Sequence, residues 1–204
     1  IKNTQVFGFE SAVRGMRNPM NSWEKSDSIF GKEVRLGEND LKLAQNLIRA
    51  GNEHCKFLRM IQVWADINMP RYWHSENDTY TFGTKNSCST MHKLLNNKNY
   101  INLSMFEICE EDIEIWKSLV STLETLRLKY LNSNNSEEKE RLLLRAKRLL
   151  PEGFLQLRTW NTNYAELRNI YFQRRNHRLK KEWQDIFCKW VESLPYAKEL
   201  ICLE

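Results

Sequence analysis

Between Ala146 and Glu182 the sequence allows few readings other than helix, strand, helix. A helical run beginning near Ser136 is stopped by Pro151, which cannot continue a helix. Phe154 to Trp160 then alternates and reads as a strand, ending in Thr159-Trp-Asn-Thr-Asn163. Asn161 or Asn163 caps a following helix that contains Leu167, Ile170 and Tyr171 and carries Arg168, Arg174 and Arg175. At such a helix start the free backbone N–H groups and the helix dipole favour an anion. With Lys147 one helix upstream, the set suits a nucleotide phosphate and sugar. The plainer alternative is a capped helix with solvated arginines.

Upstream, the signals are mixed. Val6 to Phe9 suits a short strand, and Arg14-Gly-Met-Arg17-Asn-Pro-Met-Asn21-Ser-Trp23 reads as a structured loop. Its arginines, asparagines and Trp23 suit either a phosphate and a stacked base or a loop tied by its own hydrogen bonds. A helix opens at Gly37-Glu-Asn39-Asp40, with Asn39 or Asp40 as its cap, and stops at Gly51. Its stripe is Leu41, Ala44, Leu47 and Ile48. Phe57 to Ile67 alternates as a strand, and Pro70 starts the next helix. Small hydroxyl residues in Thr84 to His92 favour turns and phosphate contacts. Glu110 to Leu131 is a long amphipathic helix, with Ile113, Trp116, Val120, Leu123 and Leu126 on its apolar side. A last helix runs from about Leu179 to Leu194. No repeat, linker or low-complexity segment divides the chain, so one domain over residues 1–204 is expected.

Composition excludes several classes. The 204 residues hold only seven Gly and four Pro, and 41% are hydrophobic, which favours a helix-rich globular domain. No apolar run approaches the length of a bilayer span. Five cysteines without CxxC spacing and without a secretory leader argue against a disulfide scaffold, so a cytoplasmic setting is expected. The first residue is Ile, and the native start is expected further upstream. His54, His74, His92 and His177 lack metal-ligand spacing, so no metal site is expected. Cys88 stands four residues before His92 and would face it on a helix, although structural roles for both are the simpler reading. There is no P-loop and no GxGxxG. The net charge of +5 gathers in Arg141 to Arg148 and Arg174 to Lys181, which suits a phosphate ligand, nucleic acid or plain solvation.

At this point a family resemblance emerges. Ala146-Lys-Arg-Leu-Leu-Pro151, the strand ending at Asn163, then Leu167, Arg174 and Glu182 resemble the A-R-x-x-L-P, W-T-x-N, L-R and A-Q-x-E stretches of flavin-dependent thymidylate synthases. The agreement runs without a gap from Ala146 to Glu182. Thr84-x-Asn86-Ser87-x-Ser89-Thr90-Met91-His92 resembles the family's S-x-N-E-x-S-G-R-Y more loosely. The resemblance implies an α+β domain, residues 1–38 diverging, with a mostly antiparallel sheet, long helices and homotetrameric assembly. It implies nucleotide binding where subunits meet, FAD as cofactor, and transfer of a one-carbon unit to C5 of a pyrimidine deoxynucleotide. Divergent members of this kind appear among phage and bacterial proteins.

Carried over by position, Arg174, Lys147, Ser89, Thr90 and Asn86 fall at nucleotide-contacting places, and Asn163 and Asn169 at flavin-contacting places. The departures bear on chemistry. The family's R-H-R signature is absent, and the region reads Arg71-Tyr-Trp-His-Ser-Glu76 and then Asn-Asp-Thr. Ser87 replaces a glutamate, Met91 the arginine that holds the phosphate, and His92 a tyrosine. These losses remove charge-assisted contacts and the positive field beside the reacting base. Arg14, Arg17, Trp23, Arg71, His74 and Glu76 are candidates for a rebuilt pocket, and no residue is assigned a catalytic role. The first expectation is therefore a nucleotide-binding or nucleotide-sequestering protein with degenerate catalytic motifs. A flavin-dependent C5 transferase is the second, and a nucleic-acid or protein binder the third.

Overall fold

The computed structural model describes residues 1–95 and 100–204. It divides into two compact units: residues 1–67, 80–85 and 159–204 form the first, and residues 68–79 and 86–158 the second. One domain was expected from the absence of any linker. Three of the four dividing points fall inside strands, so no change of composition marks them.

Four strands, Lys2–Phe7 (β1), Gln62–Pro70 (β2), Thr84–Ser87 (β3) and Leu155–Asn163 (β4), form one sheet in the order β1-β2-β4-β3. β1 pairs antiparallel with β2, Phe7 opposite Gln62 and Lys2 opposite Asp66, with an irregularity between Lys2 and Gln5. There Asn3 takes a left-handed conformation and its Nδ2 donates to Asp66 Oδ2 at 2.7 Å. Gly8 follows at φ 99°, and a Cβ there would meet the Met60 carbonyl oxygen at 2.2 Å, so only glycine fits the turn.

The first unit buries Phe9–Arg17 (α1) and Glu38–Arg49 (α2) through Phe9, Ala12, Val13, Met16, Ala44 and Ile48. The expected loop at Arg14–Trp23 is thus α1 followed by two single turns, Asn18–Met20 and Trp23–Lys25. Arg17 explains the misreading: it is 4% exposed, and its Nε donates to Asp40 Oδ1 at 2.6 Å. Its remaining donors reach the Ser22 and Lys25 carbonyls. α2 is capped from a distance, because Asp27 accepts from the backbone N–H groups of Asn39 and Asp40. The expected strand from Phe57 begins instead with a 3₁₀ turn, Lys56–Met60, that buries Phe57 and Leu58. Alternating apolar residues do not distinguish the two.

The second unit contains Arg71–Asn77 (α3), Thr90–Lys93 (α4), Ile113–Asn132 (α5) and Ser136–Leu149 (α6). Its core gathers Leu94, Leu95, Ile101 and Phe106 with Leu123 and Leu126 of α5 and Leu142 and Ala146 of α6. α6 begins at Ser136, as the pattern suggested, and Asn135 caps it.

After β4 the chain returns to the first unit as Tyr164–Arg174 (α7), a π-helical stretch Lys180–Cys188, Lys189–Glu192 (α8) and Ala197–Leu200 (α9). The wide π turns bring Trp183 and Phe187 together into the core, their ring centroids 5.2 Å apart. The basic cluster Arg174–Lys181 spans the end of α7, a turn and the start of the π-helical stretch.

Candidate functional site

α7 starts where β4 ends, and Asn163 makes the junction. Its Oδ1 accepts from the Glu166 backbone N–H at 3.0 Å, satisfying one of the unpaired donors of the first turn. Tyr164, Leu167 and Ile170 point into the core and are fully buried. Asn163, Glu166, Asn169 and Gln173 recur at helical spacing and line a cavity of about 510 Å³. The cavity is completed by Asn52, Cys55, Arg59, Phe82, Arg168 and Phe172, all within the first unit. This volume lies in the range of small-molecule sites. The wall holds amides, two guanidinium groups and two aromatic rings, one of which, Phe82, is 67% exposed.

A directed set of hydrogen bonds runs along this wall. Arg174 Nε donates to the Tyr80 hydroxyl at 2.7 Å, and that hydroxyl donates to Gln173 Oε1 at 3.0 Å. Gln173 Nε2 donates to Asn169 Oδ1 at 2.7 Å, and the Asn169 amide lies beside the Glu166 carboxyl and favours its charged form. Glu166, only 6% exposed, ends the series as an acceptor. Burial pushes its carboxyl above the ordinary value, while the Asn169 hydrogen bond and the charge of Lys85 oppose that rise. Arg174 lies 4.6 Å from the Trp183 ring centroid and 5.4 Å from that of Tyr80. The arginine expected to meet a nucleotide is thus held by aromatic side chains and starts the hydrogen-bond series. Arg168 donates to the Ile201 and Leu203 carbonyls and stacks 4.7 Å from the Phe172 ring.

A second cavity, of about 280 Å³, lies in the second unit and is lined by Cys88, Ser89, Thr90 and Lys93, with Gln156 and Leu157 of β4. Ser89 caps α4, accepting from the His92 N–H, and Lys147 Nζ donates to Thr90 Oγ1 at 2.5 Å. Burial, and after it the charge of Arg71, lowers the Lys147 ammonium below its ordinary value. Arg71 donates to the Leu150 carbonyl and pairs with Glu152 at 3.1 Å. Asn86 is exposed on β3.

Other expected residues have different duties. Arg17 is spent on Asp40 and backbone carbonyls, and Arg14 is exposed on α1 beside a separate hollow with Trp23 and Phe30. Arg14, Arg17 and Trp23 belong to the first unit, and Arg71, His74 and Glu76 to the second. His74 is buried, with Nε2 2.8 Å from the Gln156 carbonyl oxygen. Cys88 lies on the extended stretch before Ser89, its N–H donating to the Leu157 carbonyl, so it does not share the helix with His92 that the spacing suggested. No group of three or more metal-ligating side chains occurs among the described residues. Sequence reasoning missed Glu166, Gln173 and Tyr80. The polar stripe Asn163, Glu166, Asn169, Gln173 was a readable signal for the first two, whereas Tyr80 arrives from a distant segment.

No protein-family model matches the chain, and no curated protein matches it. Solved structures do. A flavin-dependent thymidylate synthase, ThyX from Helicobacter pylori, complexed with FAD and dUMP, superposes with a TM-score of 0.69 at 21% identity, covering 98% of this chain and 97% of that one. A second structure of the Helicobacter pylori enzyme with FAD and dUMP gives 0.70 at 20% identity over 100% of both chains. The fold is that of a flavin-dependent thymidylate synthase. Full coverage of both chains extends the likeness to the divergent first 38 residues, where no motif carried it. No helix among the described residues is long and apolar enough to cross a membrane.

Proposed function

We propose that this protein binds a nucleotide in the α7 cavity on a thymidylate-synthase scaffold, without the ordinary thymidylate chemistry. The observation that carries the reading is the composition of that wall: amides at helical spacing, the guanidinium groups of Arg59 and Arg168, and the rings of Phe82 and Phe172. Phosphate is met by cations, and a base by an aromatic face. Both neighbouring structures hold nucleotide ligands, FAD and dUMP, which supports the same ligand class here. Asn163 and Asn169 are the residues whose positions suggested flavin contact, and both line the cavity. In the second unit, Ser89, Thr90 and Lys147, with Arg71 nearby, are a second phosphate-holding set on this reading.

A flavin fits the α7 wall less well. Its pyrimidine-like edge presents an N–H between two carbonyls, and these meet an acceptor-only carboxylate at Glu166. The R-H-R positive charge is also missing from the sequence. We therefore assign no step to a flavin. Assembly as a homotetramer, with ligands held where subunits meet, is part of the same proposal. Calorimetric titration with nucleoside monophosphates tests it. Saturable binding, weakened about tenfold by Arg59→Ala through loss of a charge-assisted contact, is expected. A yellow protein that turns over dUMP with a folate would replace this reading with the flavin-dependent transferase.

A further inference from the structure

The hydrogen-bond series along α7 has a direction, and the direction bears on what the cavity reads. Each link from Arg174 through Tyr80 and Gln173 donates toward Asn169, whose amide lies beside Glu166. Such series strengthen their members cooperatively. The amide oxygen of Asn169 is committed to Gln173, which leaves its nitrogen as the donor beside Glu166. The wall therefore offers a ligand a carboxylate backed by an amide whose own orientation is set by the series. An ionised carboxylate accepts only, through two oxygens side by side. It pairs best with two adjacent N–H donors, the arrangement that makes guanidinium–carboxylate forks strong.

We propose that Glu166 makes the α7 cavity selective for a guanine-type base, whose ring N–H and exocyclic amine face its two carboxylate oxygens. Adenine and cytosine put a donor beside an acceptor on that edge, and uracil and flavin put a donor between two acceptors. Each leaves a carbonyl or ring nitrogen against an oxygen anion, an arrangement that costs affinity because neither group donates. Hypoxanthine keeps the ring N–H and lacks the amine. The exposed ring of Phe82 gives such a base a face to stack on, and Arg59 a partner for its phosphate. Glu166 also stands third after the Asn163 cap, where a glutamate commonly reaches back to the cap in a purely structural box. Its line to Asn169 and its place on the cavity wall assign it the further duty. Tyr80 is a positioning residue, acting on the base only through Gln173, Asn169 and Glu166.

This inference rests on nucleotide binding in the cavity, and one titration series separates the two. The intact protein is titrated with guanosine, inosine, adenosine and uridine monophosphates, alongside Arg59→Ala, Glu166→Gln and Tyr80→Phe. Guanosine monophosphate is expected to bind about tenfold more tightly than inosine monophosphate, which lacks one donor. Glu166→Gln, which keeps shape and replaces one acceptor by a donor, should erase that ratio. Tyr80→Phe should shrink the ratio while leaving inosine monophosphate binding nearly unchanged, which a general loss of structure would not do. Equal affinities for the two purines in the unmodified protein, with Arg59→Ala still weakening both, overturn the selectivity and leave nucleotide binding standing. No saturable binding of any of the four overturns both.

Discussion

Arg17 and Asp40 illustrate how a buried charge becomes structural. Burial alone raises the Asp40 carboxyl, but hydrogen bonds from Ser28, Ser26 and Arg17, with the charge of Arg17, outweigh it and hold the group below its ordinary value. With both side chains withdrawn from water, removing one strands the other. Asp40→Ala is expected to destabilise the protein by about 3 to 5 kcal/mol, read by chemical denaturation. Because the folded value is depressed, the pair's contribution is complete above the ordinary carboxylate range and is lost as pH falls through the folded value. Lys147 has the opposite sign. Its folded value is lowered, so at neutral pH the charged ammonium costs stability, and stability rises as pH climbs from the folded value toward the ordinary one. Lys147→Met should thus leave the melting temperature unchanged or raise it, while weakening phosphate binding. A drop in melting temperature with phosphate affinity intact would contradict this role. None of these residue-scale partners was legible from the sequence. Arg17 reads as a surface cation until Asp40, 23 positions away, is brought to it.

At the scale of elements, β4, α5, α6 and α7 were each legible from a local signal: alternation for β4, an apolar stripe for α5, a proline stop for α6 and an asparagine cap for α7. Asn163 caps α7 as its position suggested, and Pro151 falls just past α6. The misses have physical causes. α1 hides because Gly15 and the buried Arg17 interrupt its stripe of Phe9, Ala12, Val13 and Met16. α9 hides behind Pro195, which reads as an end, although the chain turns at Tyr196 in a left-handed conformation and resumes a helix. Of the site, the amide wall on α7 was partly legible and its line to Arg174 was not, since Tyr80 joins it across 94 positions. The turn before β3 supplies a test at this scale. Gly83 stands at φ 147°, and a Cβ there would lie 2.4 Å from the Asn161 carbonyl oxygen and 2.7 Å from Trp160 Nε1. Gly83→Ala is expected to cost about 1 to 3 kcal/mol and to disturb the adjacent Phe82 on the cavity wall, both readable by denaturation and nucleotide titration.

For the molecule as a whole, fold and chemistry separate. The fold is shared across 100% of the chain at 20% identity, and on the proposed reading the usual chemistry has not come with it. The second unit leaves Ile115, Leu128 and Leu131 of α5 and Leu144 and Leu149 of α6 between 42% and 69% exposed. Exposed apolar side chains of this number on two successive helices are available for self-association. Sedimentation is expected to show a tetramer, and Leu128→Glu with Leu144→Glu to shift it toward smaller species. A monomer at all concentrations would remove the proposed assembly. The proposed function requires the α7 cavity to take a nucleotide. Mass spectrometry of the small molecule released when the purified protein is denatured tests that most directly. A phosphorylated nucleotide without flavin is the predicted result, and release of stoichiometric FAD would contradict it.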